Sequence, residues 1–163
     1  MRRIPLTQGK FAIVDNKDFE QLNKYKWYAH KDRCGRYYAL RGVWDIKIQN
    51  SITIPMHRQI LGLNYKDGKE SDHKDRNGLN NQRYNLRICT KAENLRNSIK
   101  KGHNCSSKYK GVDWREKKEK WRARIHCNRK TYFLGYYESE VKAARVYDKA
   151  AIELFGEYAK TNF

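Results

Sequence analysis

An aspartate followed directly by a histidine, Asp72-His73, opens the most unusual stretch of this sequence, residues 70–98. A carboxylate and an amide oxygen, as Asp72 and Asn94 could supply, suit a hard divalent cation such as Mg²⁺, which takes oxygen ligands and keeps several waters. The imidazole of His73 has an ordinary pKa of about 6.5, so it can accept a proton from water near neutral pH. A metal and a base side by side predict chemistry on a phosphodiester.

Two strands and a helix must position these side chains. The tetrad at residues 90–93, Thr-Lys-Ala-Glu, is a capping box and predicts the start of a helix with Asn94 in its first turn. Residues 85–88 alternate polar and apolar side chains, which predicts a strand. An Asn- and Gly-rich loop precedes that strand, and Asp72 and His73 end the strand before the loop. The prediction is therefore strand, long loop, strand, helix.

At these residues the chain resembles the HNH family of endonucleases, in the form carried by phage and intron-encoded homing enzymes. The resemblance implies a ββα-metal motif in which Asp72 and Asn94 bind Mg²⁺ or Mn²⁺. It implies that His73 is the general base and that Asn85 orients it. The alternative for each residue taken alone is a turn-forming or loop role, because Asn and Asp favour turns.

The composition indicates a folded protein with a polyanionic partner. The 163 residues include 36 Lys and Arg against 18 Asp and Glu, a net charge of +18, and 13% aromatic residues. Together with the HNH resemblance, this charge implies double-stranded DNA as the partner, with no small-molecule substrate. No apolar run is long enough to span a bilayer, so we expect no membrane association and a cytoplasmic location. The HNH resemblance implies that the cell is the host of a phage or mobile element.

The four cysteines, Cys34, Cys89, Cys105 and Cys127, form no C-x-x-C pair. We interpret them as reduced thiols and expect no zinc site, although a site assembled in space from Cys and His is the alternative.

The first 63 residues are predicted to be rich in β-strands. Short strands are expected at 4–14, 27–29, 37–41 and 51–54, with a helix over 19–25. The aromatic residues there either fill a small core or stack on bases, and we favour the core; they are Trp27, Tyr28, Tyr37, Tyr38 and Trp44.

A further helix is expected to start at Met56 and to pack ahead of the site. In HNH relatives a His-Arg pair is common at this place, which implies that His57 assists near the cut and that Arg58 binds phosphate. The alternative for His57 is a hydrogen-bonded structural histidine. Four arginines near the proposed metal either bind phosphates or are simply solvated: Arg76, Arg83, Arg87 and Arg96.

After a polar linker, residues 106–163 resemble an AP2/ERF domain. The resemblance rests on the Tyr109-Lys110-Gly111-Val112 run, the 121–125 and 132–135 strands, the 143–151 helix and the terminal 159–163 segment. It implies a three-stranded antiparallel sheet packed on one helix. The residue pattern predicts the same strands, and a helix from the N-cap Ser139 to Gly156 with an inward stripe of Ala143, Tyr147, Ala150, Ala151 and Leu154.

In this family the exposed sheet face enters the major groove. Along residues 121–126 alternation places Trp121, Ala123 and Ile125 on one face and Arg122, Arg124 and His126 on the other. Asp113 and Thr131 stand where plant members usually carry arginine, so plant base specificity is not carried over. The candidates for DNA contact are Lys110, Trp114, Arg115, Lys117, Arg122, Arg124 and Arg129. The alternative is a charged face that is simply solvated.

The sequence thus predicts an α+β protein with an HNH domain at 1–100 (β-rich leader 1–55, HNH core 56–100), a linker at 101–107 and an AP2/ERF-like DNA-binding domain at 108–163. The predicted function is a metal-dependent DNA endonuclease that acts as a monomer or homodimer. The alternative is a DNA-binding regulator with an inactive HNH scaffold.

Overall fold

The computed structural model describes residues 1–64, 67–98 and 105–163. Within these residues the protein is mixed α/β, with several small antiparallel sheets and four α-helices. Contacts divide the chain into two compact units, Met1–Lys91 and Ala92–Phe163. Residues 101–104 of the predicted linker lie outside the described residues. No helix of the described part is long and apolar enough to cross a membrane.

The first unit consists of three small antiparallel sheets and two short helices. Its elements are β1 (Arg2–Pro5), β2 (Phe11–Val14), α1 (Asn16–Leu22), β3 (Tyr28–Lys31), β4 (Tyr37–Asp45), β5 (Asn50–Pro55), α2 (Met56–Ile60), β6 (Glu70–His73) and β7 (Leu86–Cys89). Strands β1 and β2 pair with each other, β4 lies between β3 and β5, and β6 pairs with β7. Helix α3 (Lys91–Arg96) follows β7 and belongs, apart from Lys91, to the second unit.

A compact apolar core joins these small sheets. Ile4, Val14, Leu22, Trp27 and Met56 are all nearly inaccessible to solvent. Because each sheet is only two or three strands wide, none could bury enough apolar surface alone, and the elements share one core.

Two expectations for this unit are wrong. The helix begins at Asn16, three residues earlier than predicted, and ends at Leu22. Asp15 has extended backbone angles, which lets it occupy the N-cap position, and Tyr25 lies beyond the helix and is exposed. Trp44, expected in the core, is 63% exposed, because the outer half of β4 extends past the core.

The second unit contains a three-stranded antiparallel sheet and a long helix. Strands β8 (Val112–Arg115), β9 (Lys120–Cys127) and β10 (Lys130–Tyr137) pair in the order β10-β9-β8, and α4 (Glu140–Phe155) packs on them. The predicted helix limits are confirmed: the Ser139 hydroxyl accepts a hydrogen bond from the Lys142 N–H at 3.3 Å, and Gly156 follows the last helical residue.

The alternation predicted for β9 is confirmed at residues 123–126, where Ala123 and Ile125 are buried and Arg124 and His126 are exposed, whereas Trp121 and Arg122 are both half-buried. The predicted inward position of one residue of the helix stripe, Leu154, is wrong. Leu154 is 42% exposed and Phe155 is buried, because the inward row continues from Tyr147 through Ala151 at four-residue steps.

Candidate active site and nucleic-acid interface

Asp72 and Arg87 face each other across the β6–β7 pair. The antiparallel register places these two residues directly opposite, and both are buried. The guanidinium donates to Asp72 Oδ2 from Nε at 3.0 Å and from Nη2 at 2.7 Å. The ion pair therefore compensates the buried negative charge of Asp72.

His73 lies next to this pair, 5% exposed, at the end of β6. Its Nε2 is 3.3 Å from the Oδ1 of Asn81, a residue that is fully buried. Burial lowers the pKa of His73, although the Asn81 contact and the nearby Asp75 and Asp72 carboxylates oppose the shift. The lowered pKa favours the neutral imidazole, which is the form that accepts a proton.

His57, from α2, packs against His73. The two ring centroids are 4.8 Å apart, and the Tyr38 ring lies about equally far from both, at 6.2 and 6.0 Å. Burial, followed by the charges of His73 and Arg58, lowers the pKa of His57 to about 3. Its Nδ1 is buried and finds no hydrogen-bond partner among the described residues.

The Asn-rich loop between β6 and β7 is braced from within by Asn85. The Asn85 amide donates to Asp75 Oδ1 at 2.9 Å and to the Asn80 carbonyl at 2.8 Å, and its oxygen accepts from the Asp75 N–H at 3.0 Å. Asn85 therefore shapes the loop that presents Asn81 to His73, and its predicted role of orienting the base stays a prediction. Sequence analysis missed Asn81, and its place in an Asn-rich loop was the available signal.

Asp72 belongs to the first unit and Asn94, half-buried on α3, to the second, so their joint binding of a metal remains a prediction. The donor types fit Mg²⁺ or Mn²⁺, since carboxylate and amide oxygens are hard ligands. Among the described residues no group of three or more His, Cys, Asp and Glu side chains could hold an ion. An ion at Asp72 would therefore keep several waters.

Two of the predicted phosphate-binding arginines anchor neighbouring segments. Arg58 donates to the carbonyls of Asn64 and Lys69 at 2.6 and 2.7 Å and pairs with Asp67 at 3.0 Å. Arg83 forms a bidentate pair with Asp18 on α1, at 2.7 and 2.9 Å. Arg76, also predicted, lies half-buried in the loop with a left-handed φ of 62°.

In the second unit three predicted DNA contacts converge on Asp113. Arg115 Nε lies 2.9 Å, Arg122 Nη2 3.1 Å and Arg124 Nε 3.4 Å from its carboxylate oxygens. This arginine cluster, defined by Asp113 and its three arginines, is a positively charged patch on the sheet. The Trp114 ring packs at 5.1 Å against that of Trp121.

The remaining predicted contacts lie in turns of the second unit. Lys117 lies exposed in the turn after β8, and Arg129 is exposed in the turn between β9 and β10. Lys110 is directed elsewhere: its Nζ donates to the carbonyls of Arg96 and Ser98. Lys110 and Arg129 line a cavity of about 830 Å³, together with Arg96, Arg124 and His126.

No protein-family model matches the sequence. The chain is 33% identical over 159 residues to an uncharacterized HNH endonuclease of Acanthamoeba polyphaga mimivirus, covering 95% of this chain and 76% of that protein. It is 45% identical over 60 residues to the APETALA2-like protein 2 of Oryza sativa subsp. indica, covering 36% of this chain and 14% of that protein. It is 35% identical over 97 residues to the ethylene-responsive transcription factor ERF069 of Arabidopsis thaliana, covering 56% of this chain and 58% of that protein. The similarity to the viral protein, which extends over most of both chains, shows that this chain belongs to the HNH endonuclease family.

Proposed function

We propose that this protein is a metal-dependent DNA endonuclease of the homing or phage HNH type, whose C-terminal unit recognises duplex DNA. The observation that carries the proposal is the environment of His73. A neutral, buried imidazole beside a carboxylate is suited to deprotonating water, and family membership is consistent with that use.

In this mechanism His73 takes a proton from the water that attacks the scissile phosphate. Asn81 holds Nε2 and the His57 ring packs against the imidazole, which together restrict its orientation. Asp72 and Asn94 would hold the divalent ion, which supplies stabilisation of the negative charge on the phosphate and the leaving 3′ oxygen. The expected product ends are 5′-phosphate and 3′-hydroxyl.

We further propose that β6, β7 and α3 form a ββα-metal motif and that β8–β10 with α4 form an AP2-like domain. The element order and the β6–β7 register support the first. The antiparallel sheet with one packed helix and the partial similarity to APETALA2-like and ethylene-responsive factors support the second. The exposed arginine face of β9 would lie in the major groove.

Nicking of supercoiled plasmid tests the proposal. The full chain with Mg²⁺ or Mn²⁺ should convert it to nicked or linear product, and His73→Ala should abolish the conversion. His30→Ala is the matched control, because His30 is an exposed histidine on β3. One centre per chain predicts nicking by a monomer or double-strand cutting by a homodimer. A folded preparation that leaves DNA intact with either metal would refute the proposal.

A second function is a DNA-binding regulator with an inactive HNH scaffold. The observation that favours it is the Arg87 ion pair, which neutralises Asp72 without a metal. A tight, metal-independent shift of duplex without cleavage would support this function. Either kind of binding should weaken steeply with salt, because phosphate contacts release counterions.

A further inference from the structure

Helix α3 needs support from outside itself. It is six residues long, and none of its side chains is buried. Helices shorter than about 12 residues are marginal in water even with favourable sequences, so packing or capping contacts must keep such a short helix folded. The helix carries Asn94, so whatever holds it also controls where that amide lies.

Lys110 contacts the end of this helix. Its ammonium donates to the carbonyl oxygens of Arg96 at 2.6 Å and Ser98 at 2.7 Å. The last carbonyls of a helix lack partners within the helix and carry partial negative charge. A lysine at this place satisfies the Arg96 carbonyl at the end of the helix and the Ser98 carbonyl just beyond it, and it interacts favourably with the helix dipole. Lys110 is therefore a C-terminal cap supplied from outside the helix.

Lys110 is itself held firmly. Its backbone N–H donates to Asn162 Oδ1 at 2.7 Å, and its carbonyl accepts from Asn162 Nδ2 at 3.2 Å. The Asn162 amide also donates to Asp148 on α4, at 2.9 Å. The Lys110 side chain therefore extends from a backbone that is held by Asn162 and, through Asn162, by Asp148 on α4.

A second contact fixes the same end of the helix. Arg96 Nη2 lies 3.3 Å from the Asn128 oxygen, and its guanidinium carbon lies 4.9 Å from the centroid of the Phe155 ring. Asn128 is in the turn between β9 and β10, and Phe155 ends α4. Lys110, Asn128 and Phe155 thus hold the last turn of α3 from two turns and the end of α4.

We propose that Lys110 is a positioning residue for the endonuclease reaction. It caps the helix that carries Asn94 and so couples strands β8–β10 and helix α4 to metal binding. This inference rests on the proposed function for its catalytic consequence. The alternative role for Lys110, implied by the AP2/ERF resemblance, is a direct phosphate contact. The two roles make different predictions.

Hydrogen exchange of the full chain tests the capping directly and needs no activity. Lys110→Met keeps the aliphatic stem and removes the donors, so the amides of Asn97 and Ser98 should exchange about tenfold faster. Lys110→Arg, which retains donors and charge, should restore protection. Lys149→Met is the control, because it removes one charge from an exposed position on α4. Unchanged exchange in Lys110→Met would overturn the proposal.

Metal titration of plasmid nicking tests the catalytic consequence. Lys110→Met should raise the Mg²⁺ concentration for half-maximal nicking by about tenfold while duplex affinity, measured in EDTA, stays within about twofold of wild type. If Lys110 instead contacts a phosphate, Lys110→Met should weaken duplex binding, reduce the slope of log affinity against log salt by about one and leave the Mg²⁺ requirement unchanged. That result would overturn the proposal. If the wild-type chain does not nick, the proposed function fails, and the exchange experiment still decides the capping.

Discussion

The buried carboxylate of Asp72 is held by the guanidinium of Arg87, with both donor nitrogens within 3.0 Å of one oxygen. The proposed metal ligand is therefore already part of an ion pair, and a cation would share it with Arg87. This relationship follows from the β6–β7 register, which sets the two residues opposite each other. The competition between Arg87 and a metal ion for the Asp72 carboxylate can therefore be measured.

Arg87→Met should destabilise the protein by about 3 kcal/mol, because it leaves the Asp72 charge buried without its partner. Mg²⁺ should then raise the unfolding temperature more in this variant than in wild type, since the ion can replace the missing positive charge. Differential scanning fluorimetry with and without Mg²⁺ measures both effects. In the double variant Asp72→Asn/Arg87→Met the extra shift should disappear. An equal Mg²⁺ shift in wild type and Arg87→Met would contradict the prediction.

Stability should fall on acidification because His57 resists protonation. The pKa of His57 is lowered to about 3, so between pH 6.5 and 3 the unfolded chain binds a proton that the folded chain excludes. Stability therefore rises with pH in this window. His57→Gln should reduce the difference in unfolding free energy between pH 7 and pH 5 by about 2 kcal/mol, measured by urea unfolding. The same pH dependence in both proteins would refute this assignment.

Asn85→Ala should lower the unfolding free energy by about 3 kcal/mol, because it removes three hydrogen bonds at a fully buried side chain. The comparison variant is Asn23→Ala, at an exposed asparagine after α1, which should change stability little. Urea unfolding measures both. Loss of nicking at an unchanged unfolding free energy would contradict this structural role and favour the orientation of His73 as the main task of Asn85.

Asp113→Asn should tighten binding to non-specific duplex about threefold at 0.1 M salt. The carboxylate competes with phosphates for three guanidiniums, and its loss frees them and removes one negative charge. The salt dependence of affinity should become steeper. Glu116→Gln makes the same charge change in the exposed turn that follows β8, and it should have the smaller effect. Weaker binding by Asp113→Asn would show that the carboxylate mainly organises the arginines.

Gly111→Ala should unfold or strongly weaken the second unit. Gly111 has a φ of +75°, and an added Cβ would collide with the Tyr147 ring and lie 2.7 Å from the Arg124 carbonyl oxygen. We expect a loss of about 3 kcal/mol in stability and a parallel loss of duplex binding. Gly156→Ala is the matched variant, because φ is also positive there but nothing lies within 4 Å. Equal losses in the two variants would show that backbone strain alone accounts for the effect.

Much of the secondary structure could be predicted from local signals. Most strands lie close to the apolar or alternating runs that predicted them, whereas β6 has no apolar residue and was predicted only as the strand before the Asn-rich loop. Helix α4 has the predicted cap and end because Ser139 and Gly156 act through their own backbone neighbourhood. The errors arose at positions where tertiary packing decides whether a side chain is buried. Phe155 rather than Leu154 faces the sheet, and the outer half of β4 leaves Trp44 exposed.

The sequence by itself determined which chemical groups are available, namely an adjacent carboxylate and imidazole in a strongly basic chain, and it determined the local elements that carry them. Only the tertiary structure decided which partners those groups meet. Strand register places Arg87 on Asp72, packing of α2 brings His57 to His73, and Lys110 reaches the end of α3. The physical reason is that these contacts join residues distant along the chain, so they depend on how the elements pack rather than on any local preference.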